Sequence, residues 1–502
     1  MTLAQTFAVT GDRVYLDELL SQWSGWIEVN PYRSGINWAS PLEVAVRLIS
    51  WTLAFQFIDA HISQEIRSTI IRSIRQQASF LSSHLSIDKI VRTNHLIGEA
   101  AGLYIIASSF SFRESHRWKK TAQLIVEEEI NDQTFEDGVS REQSSSYHRF
   151  DIDFFLLAFL AARKSATPFS SLFGMRLQKM IHYLDALQTP DSALPRYGDC
   201  DNGRGFVLAP ALSFWDPRGL IAAAGCILQD DELFNKDFLN EESFWLLSES
   251  EWNSALTRKP RKSSRGPLTL LSESGHIVIR NDKRGDYCFF RAGEFGLGGS
   301  GFSSHSHNDL FSPILYVGGA LIFTDTGTSV YSGSDEERDH LRSAKAHNTT
   351  TAPSWEYFEP LRRFGWKKCI SGKIFHAGNP QSEISVECGY EVSAVNAFSR
   401  TIGYRPKEGR FTIEDRVGDG STELNTYFHL DRGLTVRSRP DGVIIRKGKK
   451  NVARFDFSDN LSLQVEKNWI SSSYGTKEPS LVLRFTWNSG ANRSGLFSIS
   501  RA

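Results

Sequence analysis

The stretch LTRKPRKSSRGP, from Leu256 to Pro267, divides the sequence into two halves with different hydrophobic periods. It is basic and contains Ser, Pro and Gly, a composition typical of a linker. Apolar residues recur at helical spacing before it and at alternate positions after it. The sequence therefore predicts a helical domain over 1–256, a linker over 257–267 and an all-β domain over 268–502.

The half before the linker is expected to form one helix after another. The segment SPLEVAVRLISW begins with Ser40 as N-cap, Pro41 at the first helical position and Glu43 at the third, which is a capping-box pattern. Val44 and Leu48 follow at helical spacing. Similar segments joined by short polar connections favour paired, antiparallel helices in a solenoid or toroid.

The half after the linker consists of short alternating segments with β-branched residues and glycine-containing turns. In SPILYVGGALIFTD, the Gly318–Gly319 pair is expected to form the turn between two strands. Comparable segments continue to the end of the chain, as in GRFTIEDRVGDGS and SLVLRFTWNSG. This pattern predicts an antiparallel β-sandwich.

Composition excludes several classes of function. The chain has 502 residues, of which 40% are hydrophobic and 23% charged, as expected for a globular protein of two or three domains. Its formal net charge of -1 gives no overall attraction to nucleic acid or to an anionic membrane, so neither is predicted as a partner. The oligomeric state stays open.

The cysteines and the N-terminus bear on redox chemistry and location. Five cysteines without a CxxC spacing argue against a disulfide framework and against a cysteine zinc site. The first residues lack a basic region followed by an apolar one, and no stretch approaches the length of a transmembrane helix. A cytoplasmic location is expected, and a periplasmic or secreted one stays open if a leader was trimmed.

Three histidines and a carboxylate surround the predicted hairpin. His305 and His307 precede it, Asp325 ends its second strand, and His347 follows in RSAKAHNTT. In a strand, residues two apart share a face, so the first two imidazoles are expected to point the same way. Two histidines and one aspartate with an open position form a set that zinc accepts. The alternatives are ordinary polar loop histidines and, for the carboxylate, Asp309.

The glycine-rich stretch GLGGSG, from Gly296 to Gly301, matches the pattern GxGxxG. A dinucleotide site needs a helix to begin directly after the glycines, and FSSHSHNDLFSPILYV does not begin one. The sequence therefore predicts no nucleotide cofactor. The glycines are expected to let backbone approach a ligand or to form a flexible lip beside the histidines.

Three polar clusters stand out in the helical half. Each has a structural explanation, as an N-cap formed by Ser145 or Ser146 or as loop salt bridges, and a functional one as a ligand site. Capping explains the serines but not the crowding of Tyr, His and Arg on one turn. The clusters are Asn94–His95 in NHLIGEA, residues 141–151 in REQSSSYHRFD, and Arg196, Asp199, Asp201 and Arg204 in PRYGDCDNGRGF.

With these motifs in this order, the chain resembles the heparinase II/III family of polysaccharide lyases, which includes related alginate lyases. The resemblance rests on GINWASPLEVAVRLISW, NHLIGEA and EQSSSYHRFDIDFFLLA in the helical half, and on HSHNDLFSPILYVGGALIFTDTGT and AHNTT in the other. It implies an incomplete α/α toroid followed by an antiparallel β-sandwich. It also implies β-elimination of an acidic, uronic-acid-containing polysaccharide, the expected partner.

The resemblance assigns roles to individual residues. Asn94 is expected to bind the uronate carboxylate, with His95 or His305 assisting. Tyr147 matches the family tyrosine and serves as acid, or as base and acid in syn elimination; in anti elimination His95 or His305 is the base. His307, Asp325 and His347 are the implied ligands of a structural zinc ion. Apart from the resemblance, the candidate substrate-binding residues are Gln143, His148 and Arg149 of the second polar cluster, Arg204 of the third, and Tyr331 and Arg342, which lie near the predicted metal segment.

Two other functions compete with a lyase. A glycoside hydrolase on the same toroid needs two carboxylates flanking the bond, for which Glu142 and Asp151 are candidates. A polysaccharide-binding factor without catalysis is the second. The short chain without a visible export signal points to a branch of the family that makes or trims surface polysaccharide.

Overall fold

The structure, a computed structural model, describes residues 1–89, 91–163, 165, 167–259, 265–296, 305–353, 355, 358–379, 382–391, 397–418, 423–488 and 493–502. Residues 260–264 of the predicted linker and 297–301 of the glycine-rich stretch lie outside the described residues. Two compact units are present. The helical unit comprises Met1–Thr134, Arg149–His182 and Gly203–Arg261, and the strand unit comprises Phe135–His148, Tyr183–Asn202 and Lys262–Ala502.

These units cut across the order of elements along the chain. Residues 135–148 and 183–202 come from the helical half of the sequence but belong to the strand unit. Periodicity identifies local structure and not tertiary neighbours, so it could not separate these segments from the helices around them. The domain boundaries at 1–256, 257–267 and 268–502 stay a prediction, and the two transferred segments are an addition to it.

Helices dominate the first half of the chain, as predicted. They are α1 Thr2–Thr10, α2 Arg13–Val29, α3 Pro41–Ile58, α4 Gln64–Ser82, α5 Asn94–Ser109, α6 Ser115–Asp132, α7 Ser145–Ala162, α8 Ser171–Leu187, α9 Arg218–Ile227, α10 Glu241–Leu246 and α11 Glu249–Thr257. A further helix, α12 Asp335–Arg342, lies among the strands.

Helix α3 begins as its sequence predicts. Ser40 is the N-cap, its hydroxyl oxygen accepts from the Glu43 N–H at 3.3 Å, and Pro41 takes the first helical position. Helix α5 packs closely on α3 through Gly102, where an added Cβ would lie 2.9 Å from the Cβ of Ala45. A larger residue at 102 would force the two helices apart.

One segment of the described chain, Pro41–His61, is long and apolar enough to cross a membrane by length and composition. The sequence analysis expected no such stretch. Of its most apolar stretch of 18 residues, 56% is buried inside the protein. Such burial is ordinary for the core helix of a helical domain, where an all-round apolar surface packs against neighbouring helices.

The strand unit contains antiparallel sheets of five, eight, four and two strands. The five-stranded sheet has the order β1-β2-β3-β4-β5, the eight-stranded β14-β15-β16-β19-β12-β11-β10-β9, the four-stranded β17-β18-β13-β6, and β7 pairs with β8. The strands are β1 Leu268–Leu271, β2 His276–Asn281, β3 Asp286–Arg291, β4 Ile314–Val317, β5 Ala320–Phe323, β6 Thr350–Thr351, β7 Glu359–Leu361, β8 Gly365–Lys368, β9 Lys373–Gly378, β10 Ile384–Glu391, β11 Ala397–Arg405, β12 Arg410–Val417, β13 Asn425–His429, β14 Leu434–Arg439, β15 Gly442–Lys447, β16 Lys450–Phe457, β17 Leu461–Ile470, β18 Glu478–Trp487 and β19 Ser494–Arg501.

The predicted hairpin that precedes Asp325 is confirmed. Strands β4 and β5 pair through the Gly318–Gly319 turn, where both glycines have positive φ values, 56° and 82°. Glycine adopts these values without steric cost. Behind this hairpin, aromatic rings from different strands form a buried core that includes Phe323, Phe428 and Phe455. The turn and the core together fix the position at which the chain leaves β5.

Candidate active site and metal-binding cluster

A single buried carboxylate, that of Asp199, binds both histidines of the HxH pair. Its Oδ2 accepts from His305 Nδ1 at 3.0 Å, and its Oδ1 accepts from His307 Nε2 at 2.9 Å. The guanidinium of Arg338, in α12, donates to both oxygens, at 2.6 Å for the bond to Oδ2. We call these four residues the Asp199 cluster.

Burial and charge make the Asp199 cluster a tightly held unit. Asp199 and His307 are fully buried, and Arg338 and His305 nearly so. Burial opposes ionisation of Asp199, but Arg338 and the hydrogen bonds from the two histidines outweigh it and hold the pKa of Asp199 well below its usual range. The carboxylate is therefore charged at neutral pH and orients both rings.

Backbone packing brings Asp199 to the histidines. The Asp199 N–H donates to the His305 carbonyl at 2.9 Å. The preceding residue, Gly198, has φ +64°, and an added Cβ would lie 2.6 Å from the Gln143 carbonyl oxygen and 2.8 Å from that of His305. No other residue fits so close an approach without displacing backbone.

Tyr147 lies against His305 in the same unit. The two rings stack with centroids 3.4 Å apart and planes 14° apart. The Tyr147 hydroxyl donates to Asp201 Oδ2 at 2.7 Å and lies 3.2 Å from the Tyr331 hydroxyl. Burial, reinforced by the Asp201 carboxylate, raises the pKa of Tyr147 well above its usual value. The phenol is protonated at neutral pH and available as an acid.

The local helix start explains how Tyr147 is presented. Tyr147 lies in the first turn of α7, and the Ser144 hydroxyl accepts from its N–H at 3.3 Å. The cap is thus Ser144, one residue before the predicted Ser145 or Ser146. On the other side, the His305 Nε2 atom lies 3.6 Å from Glu142 Oε2, which is longer than an ordinary hydrogen bond.

The predicted metal ligands come together. Possible ligand atoms of His307, Asp325 and His347 all lie within 4.8 Å of one another, and all three residues are buried. His307 Nδ1 and His347 Nε2 are buried without a hydrogen-bond partner in the part of the chain that the structure describes. Because two buried imidazole nitrogens and a carboxylate form a donor set that zinc prefers, these residues fit the implied metal. Zinc binding itself stays a prediction.

The pKa shifts of His307 and His347 agree in part with metal binding by His307, Asp325 and His347, the metal trio. Burial lowers the pKa of His307, so its imidazole is neutral, the form that binds a metal. For His347, burial acts in the same direction, but Asp325 accepts from its Nδ1 at 2.8 Å and raises its pKa overall. Any proton on His347 Nε2 must leave before a metal binds there.

Two predictions about this segment need correction. His305 and His307 lie in a loop, not in a strand, and their rings converge because both bind Asp199. Asp309 does not compete for the metal, because Arg291 Nε donates to its Oδ1 at 2.6 Å in a buried ion pair.

Several predicted substrate-binding side chains are buried in internal contacts. The Gln143 amide oxygen accepts from Arg291 at 2.7 Å and from the Gly296 N–H at 3.0 Å, and its NH₂ group donates to the Glu294 carbonyl. His148 Nδ1 accepts from the Ser140 N–H at 3.2 Å. These two side chains hold the loop rather than face a ligand.

Two predicted arginines are likewise engaged. Arg149 pairs with Asp153 and Glu242 inside the helical unit. Arg342 is 1% exposed, and it donates to Asp339 and to the backbone carbonyls of residues 362 and 365. Buried, paired guanidinium groups of this kind stabilise a fold and cannot also contact a solvent-borne sugar. Tyr331, in contrast, lies with its hydroxyl 3.2 Å from that of Tyr147, and its contact with sugar stays a prediction.

The remaining predicted residues lie in the helical unit. Asn94 begins α5 and is buried, His95 follows it and is half-buried. Arg204 is half-buried and donates to the Leu212 carbonyl at 3.2 Å. The roles of Asn94 and His95 stay predictions that rest on the resemblance, and that of Arg204 stays a prediction from its turn-rich loop.

Comparison with known families agrees with the resemblance over most of the chain. The sequence profile described as "Heparinase II/III N-terminus" matches residues 1–213, and that described as "Heparinase II/III-like, C-terminal" matches residues 264–494. The chain belongs to the heparinase II/III-like family.

Curated relatives of this heparinase II/III-like chain are described as heparin-sulfate lyases. The one from Pedobacter heparinus is 25% identical over 364 residues, covering 70% of this chain and 50% of its own length. The one from Bacteroides thetaiotaomicron is 23% identical over 488 residues, covering 92% of this chain and 63% of its own. The chain thus spans about half to two thirds of these relatives.

Among solved structures, the crystal structure of heparinase III matches with a TM-score of 0.78 at 18% identity, over 100% of this chain and 75% of that one. At this identity the likeness speaks for the fold alone. It confirms the predicted class, an incomplete α/α toroid followed by an antiparallel β-sandwich.

Sequence reasoning missed three central residues of this family member. Asp199 and Asp201 were placed among loop salt bridges, and Arg338 was not singled out. The clue to the two aspartates was a turn-rich loop, PRYGDCDNGRGF, with charges that no helix or strand pattern required. For Arg338, nothing in the sequence marks it apart from other charged residues of a short helix.

Proposed function

We propose that this protein is a polysaccharide lyase that cleaves a uronic-acid-containing acidic polysaccharide by β-elimination. The observation that carries the proposal is the stacked pair of Tyr147 and His305. The half-buried Asp201 binds Tyr147, and the buried Asp199 binds His305. An imidazole and a protonated phenol side by side are the base and acid that such a reaction needs. Membership of the family, whose curated relatives are heparin-sulfate lyases, supports it.

In the proposed reaction, His305 removes the C5 proton of the uronate. Because Asp199 accepts from Nδ1, the lone pair of a neutral ring lies on Nε2, which takes the proton. The electrons of the C5–H bond form the C4–C5 double bond, and the C4–O bond breaks. Tyr147 donates its hydroxyl proton to the departing oxygen; its raised pKa keeps the phenol protonated until that step.

The C5 proton is barely acidic while the neighbouring carboxylate keeps its full charge. A hydrogen-bond donor at this carboxylate lets charge accumulate there in the transition state. We assign this role to Asn94, with His95 assisting, on the family resemblance alone. Zinc held by His307, Asp325 and His347 would supply a structural brace, leaving proton transfer to Tyr147 and His305.

An absorbance assay tests the reaction type. Incubating the protein with heparan sulfate, alginate and hyaluronan in turn is expected to give an ultraviolet-absorbing unsaturated uronate from at least one polymer. A glycoside hydrolase would instead produce new reducing ends without absorbance. New reducing ends alone, or no product from a wider set of uronic-acid polymers, would rule the lyase out.

A metal measurement tests the trio. His347→Gln is expected to lose stoichiometric zinc, measured by inductively coupled plasma mass spectrometry after dialysis against the metal. Its Tm should fall by at least about 5 °C, since a bound metal stabilises the folded state. The matched control is His276→Gln, which alters another fully buried histidine of the same unit and should keep the zinc. A wild-type protein that takes up no zinc would refute the assignment.

A further inference from the structure

The hairpin formed by β7 and β8 places a short exposed tip beside the proposed catalytic residues. The tip consists of Arg362, Arg363 and Phe364, all exposed to solvent. The Phe364 ring is 40% exposed, and its centroid lies 5.7 Å from that of His305 and 5.1 Å from that of Tyr331. An aromatic ring that is open to solvent beside a carbohydrate site offers a flat apolar face on which a sugar ring can pack.

The tip is anchored by buried side chains of the same site. Arg338 Nε donates to the Arg363 carbonyl at 3.0 Å, while its Nη atoms hold Asp199. Arg342 donates to the Arg362 carbonyl at 2.8 Å and to the Gly365 carbonyl at 3.2 Å. Arg338 thus connects the tip to Asp199, the aspartate that binds His305. The tip therefore keeps a defined position relative to His305.

A third anchor comes from β8. The Trp366 indole N–H donates to the Ser306 carbonyl, between the two histidines, at 3.1 Å. Arg362 also adopts φ +54°, a left-handed conformation that costs a non-glycine residue about 1 kcal/mol or more. The anchors hold an exposed arginine in this strained conformation. This indicates that the backbone shape of the tip has a role.

Charge distinguishes the tip from the rest of the hairpin. Lys367 and Lys368, in β8, pair with Glu359 of β7. Arg363 pairs with the exposed Asp335, with its Nε atom 3.4 Å from Oδ1, and its side chain remains 46% exposed. Two adjacent guanidinium groups facing water suit a carboxylate or sulfate, which arginine binds through paired hydrogen bonds.

We propose that this tip is a recognition site for the sugar next to the cleaved uronate. Phe364 packs on the ring of that sugar, and Arg362 and Arg363 bind its anionic substituent, either a carboxylate or a sulfate. The inference rests on the proposed function and adds a substrate class to it: a polymer in which the neighbouring sugar also carries negative charge. It replaces Arg342, which the sequence predicted as a sugar contact, by Arg362, whose carbonyl Arg342 binds, and Arg363, whose carbonyl Arg338 binds.

The experiment compares Arg362→Ala/Arg363→Ala with the wild type on three polymers. Heparan sulfate offers sulfate on the neighbouring sugar, polymannuronate offers carboxylate, and hyaluronan offers a neutral neighbour. On whichever charged polymer is cleaved, KM is expected to rise at least about tenfold with kcat within about twofold. Cleavage of hyaluronan should be unaffected. A response to heparan sulfate alone identifies sulfate, and one to polymannuronate alone identifies carboxylate.

Controls separate this inference from the proposed function. Lys449→Ala/Lys450→Ala removes two positive charges, one from the turn after β15 and one from the first residue of β16, and should change neither constant. Equilibrium binding of heparan sulfate and polymannuronate by calorimetry gives a second readout, independent of turnover. If no polymer yields an unsaturated product, the lyase assignment fails, and the tip is still judged by whether the double variant loses binding. Unchanged KM and unchanged binding on both charged polymers would overturn the inference.

Discussion

Tyr147→Phe is expected to abolish turnover while leaving substrate binding intact. The substitution removes one oxygen and keeps the ring, so the stacking on His305 at 3.4 Å is preserved. What is lost is the proton that the phenol would give to the departing sugar oxygen. Loss of a general acid typically costs about 10²–10⁴-fold in rate. Initial rates from ultraviolet absorbance measure the first effect, and calorimetric titration with the same polymer measures the second.

The matched control for this variant is Tyr331→Phe. Its hydroxyl lies 3.2 Å from that of Tyr147, and burial likewise raises its pKa. If Tyr331 only supports Tyr147, its variant should lose much less activity. A larger loss in Tyr331→Phe would make Tyr331 the acid. Normal turnover in Tyr147→Phe would show that the assignment of Tyr147 is wrong.

Local patterns were sufficient to predict the helical and all-β halves of the chain and to single out the histidines around the hairpin, whereas the exact metal trio came from the family resemblance. The cap at Ser40 and the Gly318–Gly319 turn depend on residues close in sequence, whose conformational preferences act wherever the segment is placed. His307 and Asp325 flank one hairpin, and His347 joins them only after the chain has passed through α12. Such features depend on short-range chemistry that a sequence displays directly.

The residues that hold the catalytic pair could not be predicted in the same way. Asp199 lies more than a hundred positions from His305 and from Arg338, and its loop carries no periodicity. Chemical type was also a poor guide: Gln143 and Arg342 have the polarity of ligand-binding residues, yet both are buried in internal hydrogen bonds. Burial decides between the two roles, and a sequence does not display it for an isolated polar residue.

Asp199 connects the proposed catalytic histidine with the predicted metal site in the strand unit. One of its oxygens orients His305, the proposed base, and the other orients His307, a predicted metal ligand. A carboxylate behind a metal-binding histidine is a common way to set the ring's tautomer and direction. Here the same carboxylate serves both histidines, so a displacement of either ring is transmitted to the other through a single buried group.

Asp199→Asn is expected to cost both stability and activity. The amide is neutral, so Arg338 stays buried without a counter-charge. Its NH₂ group also faces N–H donors, with which it cannot form a hydrogen bond. Breaking a buried ion pair by removing one partner typically costs about 3–5 kcal/mol of unfolding free energy. Turnover should fall by about 10² or more, because His305 is no longer held in its orientation. Denaturant unfolding and initial rates per folded molecule measure the two effects.

Two further variants separate positioning from stability. Asp415→Asn breaks another fully buried pair of the strand unit, that with Arg400, in which the two side chains form hydrogen bonds of 2.6 and 2.7 Å. It should be similarly destabilised but keep normal turnover per folded molecule. Asp199→Asn/Arg338→Met removes the orphaned charge and should regain much of the lost stability without regaining turnover. Full activity in that double variant would mean that Asp199 only neutralises Arg338 and does not position His305.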